Sequence, residues 1–504
     1  MRVSQTILAV DQGTTSTKAI LVADDGTVVA TSAPQQFAIE PHYPRPGWVE
    51  YDPEEIWQTV CASGQAAIRN LGVRPNAIRC VGLANQGETV VAFDSETGQP
   101  VYPAISWQDR RGEAIAAQWR RDGLEDQVLS ATGLRLDPYF SAPKLAWILQ
   151  NVDEARELLA AGRLRLATSD AWILWRLTGG EAFVTDVATA SRTMLFDLKT
   201  LSWNPDLAQR FGIPLTTLPE VRTNAGEMGL IRRSIFGAEL PITGLCVDQQ
   251  AALFGQRAFN AGQAKVTYGT GCFLLAHVGS DASARAEGLL TSVGWQIAGE
   301  ACYVLDGGVY SAGSLCEWLV SLGLAADVAE VGQLASQVAG PSPVALIPAF
   351  SGLAAPHWSG TARACWLGMD QGTERKHLVR AGLEAIAFRV KEICDAAAAT
   401  GISLEQIQVD GGLTRCDPLM QLQADILGLP LTRSEFTEAT ALGAAYLAGL
   451  GSGCWPCPAE IPGASFDAAT FFPRDEMHAA YAPRFQRWKR LCRSVVEMGD
   501  AGLF

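Results

Sequence analysis

A short apolar run, Ile7-Leu8-Ala9-Val10, ends in Asp11-Gln12-Gly13-Thr14-Thr15-Ser16-Thr17-Lys18, and a second β-like run, Ala19-Ile20-Leu21-Val22-Ala23, follows at once. The Asp24-Asp25-Gly26 turn then leads into Thr27-Val28-Val29-Ala30. That order is strand, glycine-hydroxyl loop, strand, tight turn, strand. A loop with one glycine and several hydroxyls lets backbone N–H groups approach phosphate oxygens and adds hydroxyl donors. An acid closing the first strand can hold a magnesium ion beside those phosphates. A plain hairpin with a polar turn accounts for the same residues, since acidic-Gly-Thr turns are common. The loop alone decides nothing.

The rest of the chain narrows the choice. Its 504 residues are enough for two or more domains, each with its own core. With 48% hydrophobic and 18% charged residues the composition is globular. A formal net charge of -14 and a pI near 4.9 argue against a nucleic-acid or anionic-membrane surface. No apolar run approaches the roughly 18 residues that span a bilayer, and the first one stops at Asp11 before a signal-peptide core could form. The expectation is a cytoplasmic protein whose 12 cysteines are reduced thiols. Cys454-Trp455-Pro456-Cys457 has redox spacing, but it leaves a glycine-rich helix exit where a thioredoxin-like centre would open a helix. No second pair completes a zinc site.

Strands and helices alternate through the first half. Asp52-Pro53-Glu54-Glu55 reads as a helix start, and Ser141 opens another helix with Pro143 in its first turn. A β-like run over Pro241–Val247 ends at Asp248, and Gln249–Gly255 reads as a helix of small residues. A second strand-loop-strand unit follows, Ala264–Tyr268, Gly269-Thr270-Gly271 and Cys272–Leu275. Later come a long helix through Leu383, Ile386, Val390 and Ile393, closed near Gly401, and a strand before Asp410-Gly411-Gly412. Two halves that each begin with a strand and a Gly-Thr loop predict a duplicated α/β domain with a cleft between the copies. The boundary falls near residues 252–262, dividing 1–255 from 256–504.

Taken in order, these blocks resemble the FGGY family of carbohydrate kinases, and within it the glycerol kinases. The blocks are Asp11–Ser16, Pro46–Glu50, Tyr139–Lys144 through Trp147, Ala190–Phe196, Asp248–Ala252, Tyr268–Phe273, Asp410–Gly412 and Thr440–Ala445. The resemblance implies two actin-like (ribonuclease H-like) domains, ATP and Mg2+, and a small polyol acceptor in the cleft. It also implies a homo-oligomer, dimer or tetramer.

The resemblance assigns roles residue by residue. Asp248 becomes the base that takes the acceptor proton, and Gln249 orients the polyol through its amide. Glu88, Trp107, Tyr139 and Phe273 match the other acceptor contacts. Thr14, Thr15 and Ser16 match the first phosphate loop, Thr270 and Gly271 the second, and Asp11 the magnesium contact. Gly313 and Gly412 correspond to glycines beside the nucleotide. Lys18 stands where the resembling enzymes carry Arg, Glu317 where Gln is frequent and Cys416 where Asn is frequent.

One departure bears on the substrate. In Asn85-Gln86-Gly87-Glu88-Thr89, Gly87 replaces an arginine that in the resembling enzymes donates to glycerol hydroxyls. Either the protein is a weak glycerol kinase in which another group fills the gap, or Gly87 leaves room for a longer acceptor. That acceptor would be a polyol or sugar such as erythritol, threitol or a xylulose-like ketose. A non-catalytic actin-like ATP-binding protein is a further alternative, against which stand Asp11, Thr270 and Asp248.

Overall fold

The computed structural model describes residues 5–32, 37–434, 438–462 and 468–504. The opening residues form the expected hairpin, with strands Thr6–Gln12 and Thr17–Ala23 antiparallel and Val28–Thr31 beside the second. The first strand also pairs in parallel with Ile78–Asn85, which pairs in parallel with Leu240–Val247. An antiparallel edge strand, Ala225–Ile231, completes a six-stranded sheet.

The second half repeats this plan. Gln263–Tyr268 is antiparallel to Cys272–Gly279, which is antiparallel to Glu300–Val309. Gln263–Tyr268 is parallel to Gln406–Asp410, and that strand is parallel to Leu431–Ser434. Leu290–Ile297 and Ala468–Phe471 form the edges of this seven-stranded sheet. An antiparallel hairpin joined to parallel strands occurs twice in the same order. This is the duplicated two-lobe α/β architecture that the paired Gly-Thr loops predict.

Strand alternation divides the first sheet between two cores. Leu8, Val10 and Leu21 point into one cluster with Ile56 and Val60 of the helix Pro53–Leu71. That helix begins as its sequence predicts, with the Asp52 carboxylate accepting from Glu54 N at 2.9 Å and proline in the first turn. Ile7, Ala9, Ile20 and Val22 point to the opposite face, into a cluster with residues 441–448 of the helix Ala439–Gly451.

Late in sequence, this helix covers the sheet of the first half. It lies close because glycines replace side chains under it: a Cβ on Gly82 would sit 2.2 Å from Ala444 O, and one on Gly244 2.4 Å from Ala448 N. The same helix crosses Asp248–Gly255 backbone to backbone, since a Cβ on Gly443 would fall 1.8 Å from Ala251 O, and one on Gly255 2.0 Å from Ala439 O. The lobes are thus joined by a glycine-narrowed helix crossing.

All twelve cysteines are free thiols. Cys454 and Cys457 sit in turns after the helix end, and between them the indole of Trp455 is buried and donates to Asp24 O at 3.0 Å. The CxxC segment packs as a structural plug. Among the described residues no helix is long and apolar enough to cross a membrane.

Candidate active site

Three neighbouring parallel strands end together. Gln12 is in register with Asn85, and Asn85 with Val247. Their carboxyl ends therefore deliver three loops to one place, as is usual for ligand sites in α/β sheets. The first strand brings Asp11 and the Gly13–Ser16 loop, the second Gly87 and Glu88, the third Asp248 and Gln249. Asp248 is the first residue of its helix, and its carboxylate accepts from Gln249 N at 2.6 Å.

All seven expected acceptor contacts, Gly87, Glu88, Trp107, Tyr139, Asp248, Gln249 and Phe273, line one cavity of about 120 Å3, with Thr14 at its edge. Trp107 and Tyr139 meet edge to face at 5.7 Å, and the Trp107 indole donates to Thr14 Oγ1 at 3.0 Å. The segment carrying Trp107 is held from behind. The Arg111 guanidinium lies over the rings of Trp48 and Trp147 at 4.0 and 4.8 Å, and pairs with Asp109 and Glu50. Asp109 in turn accepts from Val49 N at 2.6 Å. The Pro46–Glu50 block thus supports the aromatic wall.

Burial, with Asp248 second, pushes the Asp11 carboxyl up to about 7. Burial, with Glu88 second, does the same to Asp248. Lys18 opposes the shift at Asp11. A carboxyl raised by burial and by a second carboxylate beside it fits the seat of a divalent cation. The same feature predicts a stability effect. With its folded pKa raised above 3.8, Asp11 contributes most below about pH 4, and this contribution is lost as pH rises through about 7. Asp11→Asn should therefore melt higher than wild type at about pH 8 in metal-free buffer, by about 1–2 kcal/mol given its partial exposure, with little gain near pH 4. Equal melting temperatures at both pH values would contradict this placement of Asp11.

The phosphate-loop residues are placed as follows. Gly13 N donates to Ser16 O at 3.1 Å, closing the first loop, with Thr15 exposed and Ser16 half-buried at its tip. Lys18 pairs with Glu438 at 3.0 Å. In the second lobe Gly269 N donates to Gly271 O at 2.9 Å, leaving Thr270 exposed. Gly313 opens the helix Gly313–Ser321 against this loop, and a Cβ there would lie 2.7 Å from Gly269 O. Its smallness serves the loop first. A Cβ on Gly412 would meet nothing within 4 Å, which leaves open space beside the loop after Gln406–Asp410. Glu317 is exposed, and both it and Cys416 act on the thiol of Cys316, which places these positions on one side of the second lobe.

Four charged residues complete the site without having been singled out in the sequence. Lys265 donates to Gln249 Oε1 at 2.8 Å and to Thr267 Oγ1 at 2.7 Å, linking the second lobe to the acceptor amide. Lys144, brought down to about 7 by burial, donates to the carbonyls of Pro138 and Tyr139 at 3.1 and 2.5 Å. Arg192 and Asp306 line the same cavity of about 120 Å3 and pair at 3.0 Å. A visible signal existed for two of them: Lys265 and Asp306 are lone charges inside apolar strand runs.

Among the described residues, one other group has metal-ligand chemistry: His357, Glu392 and Cys492. Arg389 already pairs with Glu392, and burial pushes the Cys492 thiol up to about 12. This trio is a hydrogen-bonded core contact.

The family model for the N-terminal domain of FGGY carbohydrate kinases matches residues 6–255, and that for the C-terminal domain matches 264–452. A glycerol kinase of Thermus brockianus is 45% identical over 485 residues, covering 96% of this chain and 97% of its own. A glycerol kinase of Paraburkholderia xenovorans is 42% identical over 498 residues, covering 98% and 99%. Among solved structures, a Plasmodium falciparum glycerol kinase with ADP superposes with a TM-score of 0.89 at 33% identity, covering 98% of each chain. A xylulose kinase from Lactobacillus acidophilus shares the fold, with a TM-score of 0.87 at 22% identity. With both domain models matched in order over residues 6–255 and 264–452, this chain belongs to the FGGY family of carbohydrate kinases.

Proposed function

We propose that the protein transfers the γ-phosphoryl group of ATP to a terminal hydroxyl of glycerol, giving glycerol 3-phosphate. The observation that carries this reading is the small cavity of about 120 Å3 with Asp248 in its wall. Pockets for drug-sized ligands run to about 300–1,000 Å3, so this one suits a few-carbon alcohol. Glu88 and Gln249 bind hydroxyls, and the Trp107, Tyr139 and Phe273 rings bound the carbon chain. Asp248 takes the proton of the attacking hydroxyl, and its pKa of about 7 suits a base that must later release it. Water also attacks a γ-phosphate, so closure of the lobes around the acceptor serves transfer to the alcohol. Asp11 would hold Mg2+, which would supply charge neutralisation at the phosphates.

A Cβ on Gly87 would meet Val247 Cγ2 at 2.9 Å and no other atom within 4 Å, so Gly87 lines the cavity without narrowing it. The volume of about 120 Å3 favours the three-carbon acceptor over erythritol, threitol or xylulose. We expect glycerol to lead in kcat/KM by about ten- to two-hundredfold, the range that one extra carbon group commands in a fitted pocket. Measuring ADP release and phosphorylated product over that acceptor panel tests it, and a longer acceptor in first place would overturn the assignment. The homo-oligomeric state rests on the resemblance and is checked by sedimentation velocity. A cytoplasmic location is supported by the twelve free thiols.

A further inference from the structure

Arg192 follows the short helix Val187–Ala190 and is buried with three arms engaged. Its Nε donates to Glu88 Oε1 at 2.7 Å, one terminal nitrogen to Ser292 Oγ at 2.8 Å, and the other pairs with Asp306 Oδ2 at 3.0 Å. Glu88 belongs to the first lobe. Ser292 and Asp306 stand on adjacent antiparallel strands of the second, Leu290–Ile297 and Glu300–Val309. The guanidinium also lies 5.8 and 5.4 Å from the ring centres of Tyr139 and Phe140. One cation therefore bridges an acceptor-binding carboxylate to the opposite lobe, inside the acceptor cavity.

We propose that Arg192 is a positioning residue that ties Glu88 to the second lobe through Asp306 and Ser292, so that the acceptor site is complete only when the lobes are apposed. This rests on reading the cavity as the acceptor site. Glu88 needs such a hold. Its backbone has φ +56, a left-handed conformation in which non-glycine residues are uncommon. Burial raises its carboxyl above the usual range, Arg192 and Lys144 oppose that rise, and Asp306 adds to it. The bond at Oε1 leaves the carboxylate a second oxygen for acceptor hydroxyls.

The test compares Arg192→Gln, Arg192→Lys and Asp306→Asn with wild type in full-length protein, with whichever panel acceptor the wild type phosphorylates. Arg192→Gln is expected to raise the acceptor KM by about ten- to a hundredfold, the worth of a charged hydrogen bond, with the KM for ATP unchanged. Arg192→Lys, which keeps the charge and loses the fork, should recover part of this. Asp306→Asn keeps the Glu88–Arg192 pair and weakens only the arm to the second lobe, so a comparable rise in acceptor KM is the specific signature of coupling. An unchanged acceptor KM in Arg192→Gln would overturn the proposal. An unchanged acceptor KM in Asp306→Asn would overturn its interlobe part. Thermal melts establish that each variant folds, and should Arg192→Gln unfold, the near-isosteric Asp306→Asn and Ser292→Ala decide. A wild type that phosphorylates no acceptor would instead refute the parent reading, and the proposal with it.

Discussion

Asp248→Asn is expected to lose about a hundred- to ten-thousandfold in turnover, the usual contribution of a general base, while still binding ATP. The amide keeps the carboxylate's shape, and its oxygen can still accept from Gln249 N, but it cannot take a proton. Folding should hold or improve, because burial and the charge of Glu88 hold the wild-type carboxyl near 7, well above its ordinary range. The same shift sets a pH profile. The base works deprotonated, so wild-type kcat/KM for the acceptor should fall on the acid side below about pH 7. Glu88 adds to the rise, while Lys265 and Arg192 oppose it. Near-normal turnover in Asp248→Asn, assayed from about pH 5 to about pH 9, would remove Asp248 from the base role.

Gly443→Val is expected to be the most destabilising change outside the catalytic residues. A Cβ at this position falls 1.8 Å from Ala251 O and 2.9 Å from Gly255 N, both backbone atoms of the facing helix. No rotamer escapes a clash that begins at Cβ, so the helices must separate. Overpacking typically costs about 1–3 kcal/mol, and here the obstacle is backbone, which puts the loss at about 3 kcal/mol or more. Asp248 opens the facing helix, so activity should fall even in molecules that remain folded. Urea unfolding read by far-ultraviolet dichroism checks this. A wild-type midpoint would mean that the crossing is looser than described.

Much of this was legible beforehand, and the reason is local. The hairpin around Asp11–Lys18, the cap at Asp52 and the Asp248 strand end are set by neighbours within a few residues, which sequence patterns report directly. The expected acceptor contacts, which share one cavity, were reached through ordered blocks whose spacing identifies a family. Arg192 lay in one of those blocks, yet its role depends on Asp306, more than a hundred positions away, and no short-range pattern carries that pairing. The meaning of Gly87 was also out of reach. Whether a missing side chain opens space depends on what stands around it, and here a single methyl of Val247 comes close. The helix Ala439–Gly451 reads as an apolar, small-residue segment, but nothing local says that it covers the first lobe.

That last placement bears on the order in which the chain can fold as it is made. The sheet of the first lobe is complete in sequence at Val247, but Ile7, Ala9, Ile20 and Val22 stay uncovered until the helix ending at Gly451 has been synthesised. After residue 255 another 196 residues must be added to reach 451, so at about 5–20 residues per second an apolar sheet face waits on the ribosome for about 10–40 s. A nascent chain in this interval is a client for chaperones, and a gene cut at the boundary between halves would yield a first fragment that cannot bury its own sheet.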